Sequence, residues 1–269
     1  MDITITHQEV LFAFFLTTIA GLSTGIGSLI ALIAKKTNTN FLSISLGFSA
    51  GIMIYVSFME MMPEALQNLG SIYGEKQGTL FLIIAFFAGI AIINLIDFMI
   101  PQSINPHEVQ GVEDMDDKTL QMKRTGIVVA LSIAIHNFPE GIATFTSALT
   151  SLDVAIPITI AIAIHNIPEG IAVAVPIYHA TGSRKKAFWY SFLSGLSEPA
   201  GALLAYLFLM HYWTPAINGI VLAAVSGIMV FISLDELLPS AERYGKHHLS
   251  IIGLVAGMFV MAISLFLFI

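Results

Sequence analysis

The sequence predicts an all-α integral membrane protein of eight transmembrane helices, a reading carried by three observations. Hydrophobic residues fill 56% of 269 positions and charged residues only 11%, whereas about a quarter of a soluble domain is charged. Apolar runs of roughly 20 residues, the length that crosses a hydrocarbon core, recur at 10–34, 40–62, 79–100, 125–148, 153–178, 187–209, 214–238 and 250–269. Segments of the first two spans recur in the sixth and seventh, so spans 1–3 and 6–8 read as a repeat around spans 4 and 5. The chain reads as one transmembrane domain, 1–269, with the lipid bilayer as its surroundings.

The first span has neither a basic leader nor a small-residue cleavage site, so it reads as a retained helix rather than a signal peptide. Positive charge then orients the set. Lys35 and Lys36 follow the first span, Lys118, Lys123 and Arg124 the third, Arg184, Lys185 and Lys186 the fifth, and Arg243 and Lys246 the seventh. These loops share one side and hold ten of the eleven Lys and Arg residues, which makes that side cytoplasmic and puts both termini outside. The longest connection, 101–124, with Glu113, Asp114, Asp116 and Asp117, is then a cytoplasmic loop. A net charge of −7 without a long basic stretch argues against nucleic acid as a partner.

The repeat is most legible in the second and seventh spans. GIMIYVSFMEMMPEA (51–65) and GIMVFISLDELLPSA (227–241) share Gly, Ile, Met, Ser, Glu, Pro and Ala at seven of fifteen places. GSLIA (27–31) and GALLA (201–205) link the first span to the sixth more weakly. The second span runs outward and the seventh inward, so the repeats are inverted, an arrangement that in transporters flanks a site at the midplane. Glu60 and Glu64, and by the repeat Asp235 and Glu236, are candidate entrance and exit carboxylates. Met53, Met59, Met61 and Met62 read as packing rather than as soft ligands.

Spans four and five carry the chemistry. They read HNFPEG (His136, Asn137, Phe138, Pro139, Glu140, Gly141) and HNIPEG (His165, Asn166, Ile167, Pro168, Glu169, Gly170). Within each copy His and Glu are four residues apart, so one helix face stacks them a turn apart, with Asn about 100° around. Antiparallel neighbours bring two His, two Glu and two Asn to one depth, a ligand set suited to first-row divalent ions. Cysteine is absent, so thiolates take no part. Pro139 and Pro168 free the carbonyls of Ile135 and Ile164. The sixth span adds SGLSEPAGA, with Glu198 before a proline, and Gly141, Gly170, Gly195, Ala200 and Gly201 are small enough to let these helices close up. Ionisable residues at membrane depth cost several kcal/mol each unless paired or metal-bound, and they mark ion or proton paths. The remaining histidines, at 7, 107, 179, 211, 247 and 248, lie in loops or near span ends and receive no role.

A divalent-metal transporter is the reading that follows. No phosphate-binding Gly-rich loop is present to harness ATP, so gradients drive it and no cofactor is required. An intramembrane metal-dependent hydrolase is the alternative, opposed by the missing HEXXH and by the inverted repeat. A proton-driven exporter is a third reading.

Eight spans, the doubled H-N-x-P-E-G and the S-E-P of span six resemble the ZIP metal transporters over nearly the whole chain, especially their compact bacterial members. The resemblance implies uptake of zinc, iron and other divalent metals across the bacterial cell membrane through a binuclear site. It implies Glu140, His165 and Glu169 as the zinc site, with His136 as an additional ligand. Asn137, Glu140, Asn166, Glu169 and Glu198 form a second, iron-capable site, so the motif glutamates bridge both ions. A homodimer is a further expected partner. One departure is that loop 101–124 has a single histidine, His107, in place of a His-rich cluster.

Overall fold

The computed structural model describes residues 6–33, 39–99, 130, 134–135, 137–149, 152–244 and 247–267, and the loop expected at 101–124 lies outside them. Helix α1 is His7–Ile33. Helix α2 joins Thr39–Val56, a π turn at Ser57–Met61, and Met62–Tyr73. Helix α3 is Glu75–Met99, α4 is 137–149 and α5 is Leu152–Thr181. Helix α6 comprises Arg184–Gly195 and, past a turn at Leu196, Ser197–Leu204. Helix α7 joins Pro215–Ile232, a π turn at Ser233–Leu237, and Leu238–Tyr244. Helix α8 is His247–Leu267.

Among the described residues six helices are long and apolar enough to cross a membrane, namely α1, α2, α3, α5, α7 and α8. The other two expected spans differ for identifiable reasons. Most residues preceding 137 lie outside the described set, and the sixth is broken at Leu196 within the polar run SGLSEP. The all-α membrane architecture therefore stands, with α2 and α7 extending past the apolar runs that predict them.

Local chemistry explains the ends and the wide turns. Thr214 caps α7 by accepting from the Ile217 amide, with Pro215 at the first helical position. Gly74 and Gly182 take positive φ, 78° and 64°, at the turns into α3 and α6. In α2 and α7 the residue before a proline, Met62 or Leu238, donates five residues back, to Ser57 O or Ser233 O. The following Pro63 and Pro239 have no N–H to continue the α pattern, which places a widened turn beside them.

Helices α1, α4, α5 and α6 zip together through glycines whose absent β-carbon would overlap a facing carbonyl. Gly27 rests on the Ile167 carbonyl and Gly170 on that of Thr24, joining α1 to α5. Gly201 rests on Phe138 and Gly141 on Glu198, joining α6 to α4. Gly21 and Gly195 rest on each other's carbonyls. Helices α2, α3, α7 and α8 form a second group. Gly51 meets Leu254 and Gly257 meets Phe48, while Gly227 meets Phe86 and Gly89 meets Ala224.

Each contact has a repeat mate. The GSLIA/GALLA register pairs Gly27 with Gly201, Thr24 with Glu198 and Gly21 with Gly195, and the two HNxPEG copies pair Ile167 with Phe138. The contacts map onto one another under that pairing, and the two π turns coincide in the GIM register. The weak GSLIA echo is therefore a true register, and the symmetry swaps α4 with α5. Ala200 departs from expectation: it is exposed rather than in a helix contact, because Gly201 next to it occupies the close approach.

Apolar side chains left outside the two groups form the lipid face. Leu80, Ile84, Phe87 and Leu95 of α3 and Ile252, Val255 and Phe259 of α8 are all exposed, as expected where lipid replaces water. Met53 and Met61 are fully buried among apolar residues, in keeping with packing, while Met59 is exposed.

Candidate metal centre

Six of the sequence-predicted polar residues are fully buried: Asn137 and Glu140 on α4, His165, Asn166 and Glu169 on α5, and Glu198 on α6. His136 lies outside the described residues. The glycine zips bring these helices within backbone contact at the depth of the motifs, since Gly141 and Gly170 follow directly on Glu140 and Glu169. Helix α5 runs unbroken through Pro168.

His165 Nε2 lies 3.2 Å from Glu140 Oε2 and 4.0 Å from Glu169 Oε1. Donors bound to one tetrahedral zinc at ~2.0–2.1 Å sit about 3.3 Å apart, so the first pair already has ligand spacing. The second needs a shift of about 0.7 Å by the same measure. Consistently, among the described residues no three His, Asp or Glu groups form a finished ligand cluster.

Asn166 bridges the site to the wall. Its amide nitrogen donates to the Ala20 carbonyl at 2.9 Å and to Glu198 Oε1. Its Oδ1 has no hydrogen-bond partner among the described residues, nor do Glu140 Oε1, Glu198 Oε2 and both amide atoms of Asn137. Buried polar atoms are nearly always paired. Four unpaired oxygens beside three carboxylates, where like charges repel in a low dielectric, make an environment that a divalent cation satisfies.

The entrance and exit candidates fare differently. Asn218 of α7 donates to Glu64 Oε1 at 3.2 Å, Glu60 is half-buried and Asp235 is exposed. Sequence reasoning passed over Ser49 of α2, which donates toward Glu169 Oε1 at 3.1 Å and the His165 carbonyl at 3.3 Å. A serine in an apolar helix carries no motif of its own, so only the packing of α2 on α5 identifies it.

Helices paired by an inverted repeat around a buried, carboxylate-rich polar centre define a membrane transport protein for cations. The family model described as "ZIP Zinc transporter" matches residues 100–265. The chain is 60% identical to Zinc transporter ZupT of Clostridium perfringens, covering 97% of this chain and 98% of that one. It is 58% identical to Zinc transporter ZupT of Streptococcus mutans serotype c (97% and 99% covered) and 54% identical to that of Akkermansia muciniphila (98% and 100%). The chain belongs to the ZIP zinc transporter family. It is a multi-pass divalent-metal transporter and not an enzyme, so the hydrolase alternative falls.

Proposed function

We propose that the chain takes up zinc, and iron(II) as a second metal, into the cytoplasm through a binuclear site in α4, α5 and α6. The observation that supports this best is the set of four oxygens, on Asn137, Glu140, Asn166 and Glu198, that have no hydrogen-bond partner among the described residues and are buried beside His165 and Glu169. Glu140, His165 and Glu169 hold zinc, with His136 as an added ligand. Asn137, Glu140, Asn166, Glu169 and Glu198 hold the second ion, whose all-oxygen donor set suits iron(II). The ZupT name of the relatives supports zinc as the cargo.

In this reading one transmembrane domain of eight spans lies in the bacterial cell membrane with both termini outside and 101–124 inside, as the lysine and arginine distribution requires. Metal exchanges water for imidazole and carboxylate, and the α1/α4/α5/α6 group moves against the α2/α3/α7/α8 group to release it inward. The glycine zips support this division, since each group is closed within itself. The exposed apolar faces of α3 and α8 are where lipid or the second copy of a homodimer packs.

The direct test is zinc flux into proteoliposomes holding a fluorescent indicator and no ATP. Saturable uptake is expected, and tight binding without flux would sink the proposal. Acid should weaken uptake, because the imidazole and carboxylates bind metal only when deprotonated. Below the titration range of the site the apparent KM should rise by up to about tenfold per pH unit for each proton displaced. A KM that stays flat from pH 7.5 to 5 would contradict metal–proton competition. Glu198→Gln should reduce iron(II) uptake severalfold more than zinc uptake, measured with the radioisotopes side by side, because Glu198 belongs to the second site alone.

A further inference from the structure

Ser49, like Ser191, which reaches the Thr24 and Gly170 carbonyls, departs from the commoner habit of hydroxyls in these helices. Thr17, Thr144, Ser226 and Ser233 donate to the carbonyl four residues back in their own helix, the ordinary use of a hydroxyl in an apolar helix. Ser49 instead reaches from α2 to α5, where its Oγ lies 3.1 Å from Glu169 Oε1 and 3.3 Å from the His165 carbonyl. Its side chain is fully buried.

We propose that Ser49 is a positioning residue that fixes the Glu169 carboxylate for metal and thereby sets zinc affinity. An ionised carboxylate only accepts hydrogen bonds, so the hydroxyl proton orients the Glu169 carboxylate through its Oε1. The His165 carbonyl on the same hydroxyl ties this anchor to the turn of α5 that carries both ligands. Ser49 also reaches from one helix group to the other, so its grip belongs to the arrangement described here and loosens when the groups move.

The repeat sharpens the argument. The GIM register pairs Ser49 with Val225, which has no hydroxyl. The two motif glutamates are therefore held unequally: Glu169 has Ser49, while Glu140 has His165 on Oε2 and no partner among the described residues on Oε1. One carboxylate is oriented by a hydroxyl from the other helix group, and the other by an imidazole from α5 within its own group.

The inference rests on the proposed zinc site, and its test separates the two. Zinc dissociation constants of the full chain in detergent, with uptake KM and maximal rate, are compared for Ser49→Ala, Ser49→Thr and Glu169→Ala. Ser49→Ala should weaken binding and raise KM about tenfold, the usual effect of removing a partner behind a metal ligand. Its maximal rate at saturating zinc and its melting temperature should stay near those of the parent, and Ser49→Thr should restore the affinity. Unchanged affinity in Ser49→Ala, with Glu169→Ala impaired, overturns the role of Ser49. Unchanged affinity in Glu169→Ala overturns the site itself. Should Ser49→Ala fold poorly, Ser49→Gly supplies the hydroxyl-free measurement and is read the same way.

Discussion

Glu169→Ala in proteoliposomes should show no saturable zinc uptake, with zinc affinity reduced by more than about 100-fold, since partners behind a ligand alone account for 10–100-fold. The carboxylate is fully buried, one turn from His165 on the same helix face and 4.0 Å from its Nε2. As a bridging ligand in the proposed site it serves both ions, so its loss removes one donor from each. Glu140→Ala should match it, because the repeat exchanges the two residues. Stability should move the other way. Removing one of three carboxylates buried together relieves like-charge repulsion, so the metal-free variant should melt at or above the parent temperature. Lost activity with retained fold identifies a ligand, and saturable uptake by Glu169→Ala would rule Glu169 out as one.

Gly170→Leu should have the largest structural effect. A β-carbon there would overlap the Thr24 carbonyl and crowd the Ser28 amide, and neither backbone can yield without separating α1 from α5. Overpacking costs typically 1–3 kcal/mol when side chains can adjust, and a backbone-on-backbone clash lies at or above the top of that range. Loss of monodisperse protein in size-exclusion chromatography is expected, as is loss of zinc binding from any protein that survives. Gly141→Leu should do the same against Glu198. Gly70→Ala is the control: nothing lies within 4 Å of its β position, and alanine favours a helix over glycine by about 1 kcal/mol. A Gly170→Leu protein as stable as the parent would show that α1 and α5 are not in backbone contact.

Much of this was legible without coordinates because it depends on order along the chain. Helical spacing puts His165 and Glu169 on one face whatever surrounds them, and the duplicated motif implied a matching set on the neighbouring span. The GIM repeat is readable as a sequence match, and the two copies share a local structure, the pair of π turns. That these turns would widen rather than merely kink was not readable, because the choice among 3₁₀, α and π depends on how neighbouring helices crowd the turn before a proline. Ala200 and Gly201 looked equivalent as small residues, yet one is exposed and the other packs on Phe138. Rotation of α6 about its axis decides that, and composition carries no record of it.

By itself, then, the sequence determined the membrane as solvent, the all-helical architecture, the internal repeat and the identity of the buried polar residues, since these follow from hydropathy, periodicity and internal similarity. Only the tertiary structure decided which helices close into which group, how Asn166 joins Ala20 and Glu198, and that Ser49 stands behind Glu169. Those facts arise from contacts between residues more than a hundred positions apart or on separate helices, where a one-residue change in register redirects a side chain by about 100° and no local pattern reports the outcome.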